Sequence, residues 1–234
     1  GYAEDAQGNL IPFAVGVPRI TNKGVLIEEG RTNLQPQSEF ASGWVTTNLS
    51  ITPNAGPAPN GTTTAGALIE SAVSGQHIAA GTSTSKTSAS LTYTASVYVA
   101  PKGRTFAEVQ LASASGGAFV YVNLLTGAIT NGPGTFGSNW SAATATVTPA
   151  VVGIMRLALT ATNVTDTSIG MKTLLSSNGT SDVYTGDGSS GVYAWGAQLE
   201  LGSFATSYIP TTSASVTRAP DQLYYNSAAI PLQN

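Results

Sequence analysis

Apolar residues in this chain recur at every second position in short runs, and clusters of Gly, Asn, Ser and Pro cut the runs apart. The three-and-four spacing of an amphipathic helix is almost absent. Side chains that alternate between two faces residue by residue belong to extended strands. Many short strands divided by turn residues read as an antiparallel β-sandwich of the jelly-roll kind. Strands are expected near 25–28, 44–52, 66–73, 76–80, 90–100, 104–112, 118–124, 127–130, 141–148, 153–162, 167–175 and 191–200. The breaks carry turn chemistry at Pro53-Asn54, Asn60-Gly61, Ser115-Gly116-Gly117, Asn131-Gly132-Pro133-Gly134, Asn178-Gly179 and Gly186-Asp187-Gly188.

A chain of 234 residues with 41% apolar side chains can fill one large sandwich. Residues 41–201 are read as that domain, 1–40 as an extended N-terminal arm and 202–234 as an extended C-terminal flank. Pro210, Pro220 and Pro231 keep the flank out of a central strand position. Both ends are too apolar for solvated tails: Leu10, Ile11, Phe13, Val25, Leu26 and Ile27 punctuate one, and Phe204, Tyr208, Ile209, Tyr224 and Tyr225 the other. They are expected to lie along the sandwich or across a subunit boundary, covering exposed strand edges. The chain begins at Gly1 rather than Met, so a piece of a longer protein is expected.

Charged residues make up 9% of the chain, far below the roughly 25% of ordinary soluble proteins. Ser, Thr, Asn, Gln and Gly must then cover the surface, which suits contact with neutral sugars more than with ions. Nine basic residues against twelve acidic ones give a net charge of −3. That balance offers no basic stripe for a phosphate backbone, so nucleic acid is not expected as a partner. Without cysteine there are no disulfides, thiolate nucleophiles or Cys-ligated zinc. No apolar run approaches the roughly 18 residues that span a bilayer, so membrane insertion is not expected, and the first residues lack signal-peptide regions.

Alternation sorts the strand faces. Tyr93, Ala95, Val97 and Val99 share the core side of one strand and leave Tyr98 opposite; Ala107, Val109 and Leu111 leave Phe106, Glu108 and Gln110 opposite; Val120, Val122 and Leu124 leave Phe119, Tyr121 and Asn123 opposite. Tyr98, Glu108, Gln110, Tyr121 and Asn123 thus form an outward set. An aromatic ring for the apolar face of a pyranose, with planar amide and carboxylate groups for its hydroxyls, is the chemistry of a sugar site. The alternative is that Tyr98 and Tyr121 pack beneath a loop or the N-terminal arm. Trp195 alternates with Tyr193, Ala197 and Leu199 and is placed in the core. Trp140 follows the Gly-rich segment 132–139 and is expected near a loop tip, exposed, as a further sugar platform.

Catalytic constellations are hard to assemble, and no enzyme is expected. His77 is the single histidine, and no Gly-x-Ser-x-Gly elbow accompanies it; a structural hydrogen bond is its favoured reading, a place at the edge of a site the other. A glycosidase needs two carboxylates flanking one bond, and alternation supplies Glu108 with no outward acidic partner. Asp182 and Asp187 bracket a Gly-rich loop whose oxygens suit a structural Ca2+, but Asp-Gly is also a turn signal, and the spacing departs from an EF-hand loop. No other cofactor is expected.

The stretch Gly191-Val192-Tyr193-Ala194-Trp195-Gly196-Ala197-Gln198-Leu199-Glu200 continues through Thr206-Ser207-Tyr208-Ile209-Pro210-Thr211 to Val216-Thr217-Arg218-Ala219-Pro220-Asp221. With Gly24-Val25-Leu26-Ile27-Glu28-Glu29-Gly30-Arg31-Thr32-Asn33-Leu34, Asn60-Gly61-Thr62-Thr63-Thr64-Ala65 and Gly103-Arg104 in order, it resembles the carbohydrate-binding-like jelly-roll domains of bacteriophage tail, fibre and minor structural proteins, similar to carbohydrate-binding modules of families four and nine. The resemblance covers about residues 10–222. It implies a non-catalytic module on the virion surface, extracellular when acting, that recognises a polysaccharide or cell-surface glycan. It also implies a homo-oligomer, a trimer foremost, a structural plug at Trp44, and a histidine at the turn of His77. A purely structural, oligomerising role and a polysaccharide depolymerase fragment are the alternatives.

Overall fold

The computed structural model describes residues 1–151 and 153–222; Tyr224, Tyr225 and Pro231 lie outside them. The described residues are all-β, and no helix among them is long and apolar enough to cross a membrane. Twelve strands build two antiparallel sheets: β1 (Val45–Thr47), β2 (Leu49–Gly56), β3 (Ala65–Glu70), β4 (Ile78–Ala80), β5 (Leu91–Lys102), β6 (Phe106–Ser113), β7 (Gly116–Asn123), β8 (Ile129–Gly137), β9 (Trp140–Pro149), β10 (Met155–Asn163), β11 (Ser168–Ser176) and β12 (Gly191–Leu201). Sheet I runs β8-β7-β6-β11-β4-β1, with Thr84–Ser85 also paired to β11, and sheet II runs β9-β10-β5-β12-β3-β2. Their facing sides enclose one core, with Val97, Val99, Leu157, Leu159 and Leu199 from sheet II against Val109, Leu111, Val120, Val122 and Met171 from sheet I.

The expected strands are found with three instructive differences. The run 44–52 is divided at Asn48, whose φ of 51° turns the chain, so β1 joins sheet I and β2 joins sheet II. The segment 127–130 extends to Gly137 through Gly132-Pro133-Gly134, tolerable because β8 is an edge strand. Of 25–28, only Gly24–Val25 is extended, paired with Ile20–Thr21 in a short ribbon.

Gly196 accounts for a change of phase in β12. It sits at φ 64°, and two residues there oppose one on β5, the signature of a β-bulge. Before the bulge Val192 and Ala194 face the core; after it Ala197 and Leu199 do. Trp195 therefore lies on the outer face of sheet II, not in the inter-sheet core with Ala197 and Leu199. It is nevertheless fully buried, in a second apolar cluster with Leu10, Tyr98, Ile154 and Tyr208. Tyr2 and Tyr208 pack on its ring at 6.5 and 4.3 Å, and its Nε1 donates to Thr64 Oγ1 at 2.9 Å.

The two termini form the roof of that cluster. Arg31–Asn33 pairs with Val216–Arg218, and Tyr2–Glu4 with Leu10–Pro12. Asn33 uses both ends of its amide: Nδ2 donates to the carbonyls of Ala197 (3.0 Å) and Ile209 (2.9 Å), and Oδ1 accepts from the amides of Leu199 (3.1 Å) and Gln35 (3.0 Å). Ser38 Oγ meets Tyr208 Oη at 2.7 Å and accepts from the Thr211 amide at 2.9 Å. Glu28 accepts from Arg19 (2.7 Å) and from both the amide and hydroxyl of Ser207 (2.8 and 2.6 Å), with Arg218 at 3.1 Å. Asp221 accepts from the Glu28 amide at 2.8 Å and pairs with Arg19. The entry and exit motifs of the sequence are thus two halves of one clamp.

Candidate functional site

Because the clamp covers the middle of sheet II's outer face, Tyr98 does not face solvent. It lies opposite the core as alternation requires, but it is 1% exposed, pressed edge-on against Trp195 at 5.7 Å beneath the N-terminal arm and the C-terminal flank. Trp140 corrects a second expectation. It is 8% exposed and part of the main core, because it starts β9 rather than capping a loop. Its Nε1 donates to Ser113 Oγ at 2.8 Å, and Ser113 donates on to Asp166. Hydrogen bonds from Ser115 and Asn163 above all hold the Asp166 carboxyl down at about 2. Trp44 stacks on Phe40 at 4.1 Å and packs against the core, as a plug would.

His77 is buried, stacked on Tyr184 at 4.5 Å, with Nε2 3.2 Å from the Ser71 carbonyl. It adjoins a closed network in which buried Glu70 accepts from Arg104 Nε (2.8 Å), Tyr184 Oη (2.6 Å) and the Asp187 amide (2.7 Å). Burial pushes the Glu70 carboxyl up, but the Arg104 and Tyr184 hydrogen bonds outweigh it and hold the group below its ordinary value. Asp187 caps its own loop through the amides of Ser189 (2.8 Å) and Ser190 (2.7 Å), while Asp182 accepts from Gln76. Among the described residues no three acidic or imidazole groups gather as a metal cage. The Asn123 carboxamide is likewise spent on a turn, accepting from the amides of Leu125 and Thr126.

The outer face of sheet I retains the rest of the set. Glu108 and Gln110 on β6 and Tyr121 on β7 share this face with Phe119, Lys172 and Leu174. The expectation that they stand free in solvent is corrected: Glu108 is 1% exposed and Gln110 and Tyr121 are buried too, since aromatic rings and the segment ending at Asp182 close over them. Gln110 Nε2 donates to Glu108 Oε1 at 2.6 Å, while Glu108 Oε2 has the Tyr121 hydroxyl as its neighbour without a well-formed hydrogen bond. Burial, foremost, lifts the Glu108 carboxyl to about 7, and the charge of Asp182 adds to the rise. Burial also raises the Tyr121 hydroxyl well above its usual range.

Three rings surround this polar row. Phe119 meets Tyr121 edge-on at 5.9 Å and Phe136 at 6.4 Å. Phe119 lies across Gly134, and Phe136 across Gly117; a Cβ at either glycine would stand within 3.0 Å of the ring. Phe136 is 43% exposed and Phe119 half-buried, so the platform has an accessible rim. The Lys172 side chain, on a residue paired with Gln110 and Ala80 in the sheet, makes neither a hydrogen bond nor an ion pair among the described residues. The sequence reading missed Phe136 because it took the segment 131–134 as a turn. The alternation of Thr135 with Phe136, continuing from the strand start at Ile129, was the available signal.

Compared with known proteins, the chain matches no family model and no curated protein.

Proposed function

We propose that this chain is a non-catalytic carbohydrate-binding module of the jelly-roll kind, carried on the surface of a phage or prophage tail or fibre protein and recognising a polysaccharide or cell-surface glycan. The observation that carries the reading is the accessible rim of Phe119 and Phe136, backed by buried Tyr121 and by Glu108, Gln110 and Lys172, on a sheet face that the described terminal segments do not roof. Aromatic rings with a few polar groups at their edge are what a sugar ring needs. The scarcity of charge elsewhere and the resemblance of the terminal motifs point the same way. Affinity electrophoresis and a glycan array test it. Phe119→Ala and Phe136→Ala are expected to lose retention of a glycan that the parent retains, with folding intact. Unchanged retention in both variants, or no glycan retained at all, counts against the reading.

A structural role in oligomerisation has its own observation. Val15, Val17, Ile20, Val25 and Ile27 on the arm are all at least half exposed, and such a patch suits contact with a second protomer. Sedimentation of the chain, with a trimer as the expected species, separates this role from glycan recognition. Release of reducing sugar, lost in Glu108→Gln, would instead favour a depolymerase using Glu108 and Asp182 as its acid pair.

A further inference from the structure

Beside the clamp, on the outer face of sheet II, the edge strand β9 and its neighbour β10 floor a hollow of about 220 Å³, walled by the turn Ser203-Phe204-Ala205. The floor follows from the register. Thr144 stands opposite Thr160, Thr146 opposite Ala158 and Thr148 opposite Arg156, and directly opposed side chains on one face of a sheet are neighbours. Ala158 is the short member of this set, flanked along β10 by Arg156 and Thr160, so the depression opens above it. The turn is fixed over the floor: Thr94 Oγ1 donates to Gly202 O at 2.9 Å, and the Gly202 amide donates to Thr92 O at 2.9 Å. A single exposed Phe needs no special account, but Phe204 is held as a platform. The Arg31 guanidinium lies 4.9 Å from the centre of its ring, a favourable cation–aromatic contact. Arg31 is itself anchored by Glu29 Oε1 at 2.8 Å and by the Leu201 carbonyl. With the cation over its ring, Phe204 is still 51% exposed where it borders the hollow.

The polar groups around that ring identify the class of ligand. Thr144, Thr146, Thr148 and Ser203 are exposed, and their hydroxyls make no hydrogen bond among the described residues. No carboxylate lines the hollow, and its single charged residue, Arg156, has Nη2 already donating to Thr206 O at 2.6 Å and Ser96 Oγ at 3.2 Å. Hydroxyls both donate and accept, so this lining matches a ligand whose own polar groups do both. We propose that the hollow binds a neutral pyranose residue of a glycan, its apolar face against the Phe204 ring and its hydroxyls exchanging hydrogen bonds with Thr144, Thr146 and Ser203. An aromatic wall with a few convergent polar groups is the composition such a ligand needs. The volume lies below the roughly 300 Å³ at which drug-sized pockets begin, which limits the occupant to a single ring. This site lies on the opposite outer face from the Phe119–Phe136 rim and shares with the reading above only the class of ligand. Two weak contacts on one module reinforce each other on a multivalent surface. Retention in a gel of embedded polysaccharide then takes both contacts, whereas a single sugar in solution reads each one separately.

Amide NMR titration of the full chain tests the proposal, with D-glucose, D-galactose, D-mannose and N-acetyl-D-glucosamine as probes and D-glucuronate and inorganic phosphate as charged comparators. Saturable shifts of the Thr144, Thr146, Thr160 and Ser203 amides are expected with at least one neutral sugar, and weaker binding of both comparators. Phe204→Ala removes a half-exposed ring, so the protein should melt as the parent does while its affinity for that sugar falls about tenfold or more. Thr146→Val keeps the branched shape and loses the hydroxyl, and should weaken binding about threefold or more. Phe119→Ala is expected to leave these shifts as in the parent. Shifts confined to residues around Phe119 would overturn this site and leave the reading of the open face standing. Absence of saturable shifts at these four amides with every neutral sugar, equal or tighter binding of glucuronate or phosphate, or unchanged affinity in Phe204→Ala would each overturn the proposal as well.

Discussion

The outer faces of both sheets carry aromatic rings and buried carboxyls, but among the described residues it is the Tyr98–Trp195 region of sheet II that the terminal segments roof. On sheet II the carboxylates are answered. Glu28 has two arginines and a serine, and Glu200 accepts from both the hydroxyl and amide of Thr206 at 2.6 and 3.0 Å. On sheet I, Glu108 has one close amide donor, and its other oxygen has the Tyr121 hydroxyl nearby without a well-formed hydrogen bond. For the buried carboxylates, donors on both oxygens are the arrangement of a site built for stability, while a carboxyl with one free oxygen beside an accessible aromatic rim leaves a polar group for a ligand to meet.

Deleting the keystone of the closed face should have the largest effect. Trp195→Ala is expected to destabilise the fold by about 3–5 kcal/mol, read by chemical denaturation. A variant as stable as the parent would mean that the terminal roof contributes little. The next effects come from acid and run in opposite directions on the two faces. Glu108 has a folded pKa raised to about 7, so its favourable contribution is complete below its unfolded pKa, about 4.5, and is lost as pH rises through 7. The loss is on the order of 3 kcal/mol. Glu108→Gln should therefore be more stable than the parent at pH 8 and equal to it near pH 4; equal stability at both would remove the contrast.

For Glu28 the sign reverses. Burial works to raise its carboxyl, but the Ser207 and Arg19 hydrogen bonds prevail and hold it below the ordinary value. Its contribution is present above the unfolded pKa and disappears as pH falls through the folded one. Glu28→Gln should cost about 2 kcal/mol at pH 7 and converge with the parent in acid, which pH-dependent melting would show. The smallest change belongs to the open face. Phe136→Ala, at a half-exposed position, should shift stability by less than about 1 kcal/mol while abolishing glycan retention, and a large loss of stability would make Phe136 part of the core.

Strand alternation revealed the sandwich and assigned the two sides of β5, β6 and β7 correctly. It could not reveal what lay on top of an outer face. Tyr98 and Tyr121 share the same phase and the same chemistry, yet one is covered by residues about 90–110 positions away in sequence and the other by the nearer segment ending at Asp182. Such coverage is set by long-range packing, which has no local period. Trp195 shows the complementary case: its burial was legible, but the αL bulge at Gly196 moved it to another cluster, and a lone glycine in a strand does not announce a phase change. The turn roles of Asp187 and Asn123 and the inward packing of Trp140 depended on partners in other strands. Phe136 was hidden by a Gly-Pro-Gly run that reads as a loop but is accommodated at a sheet edge.

Hydrogen exchange of the intact chain tests the clamp most directly. If the entry and exit motifs are one structural unit with sheet II, the amides of Gln35, Ser38, Ile209 and Thr211 should exchange only with global unfolding, at the same slow rate as those of Val97 and Leu199. Rapid exchange at these four positions, with Val97 and Leu199 still protected, would contradict the account and leave the Tyr98–Trp195 region of sheet II open to ligands.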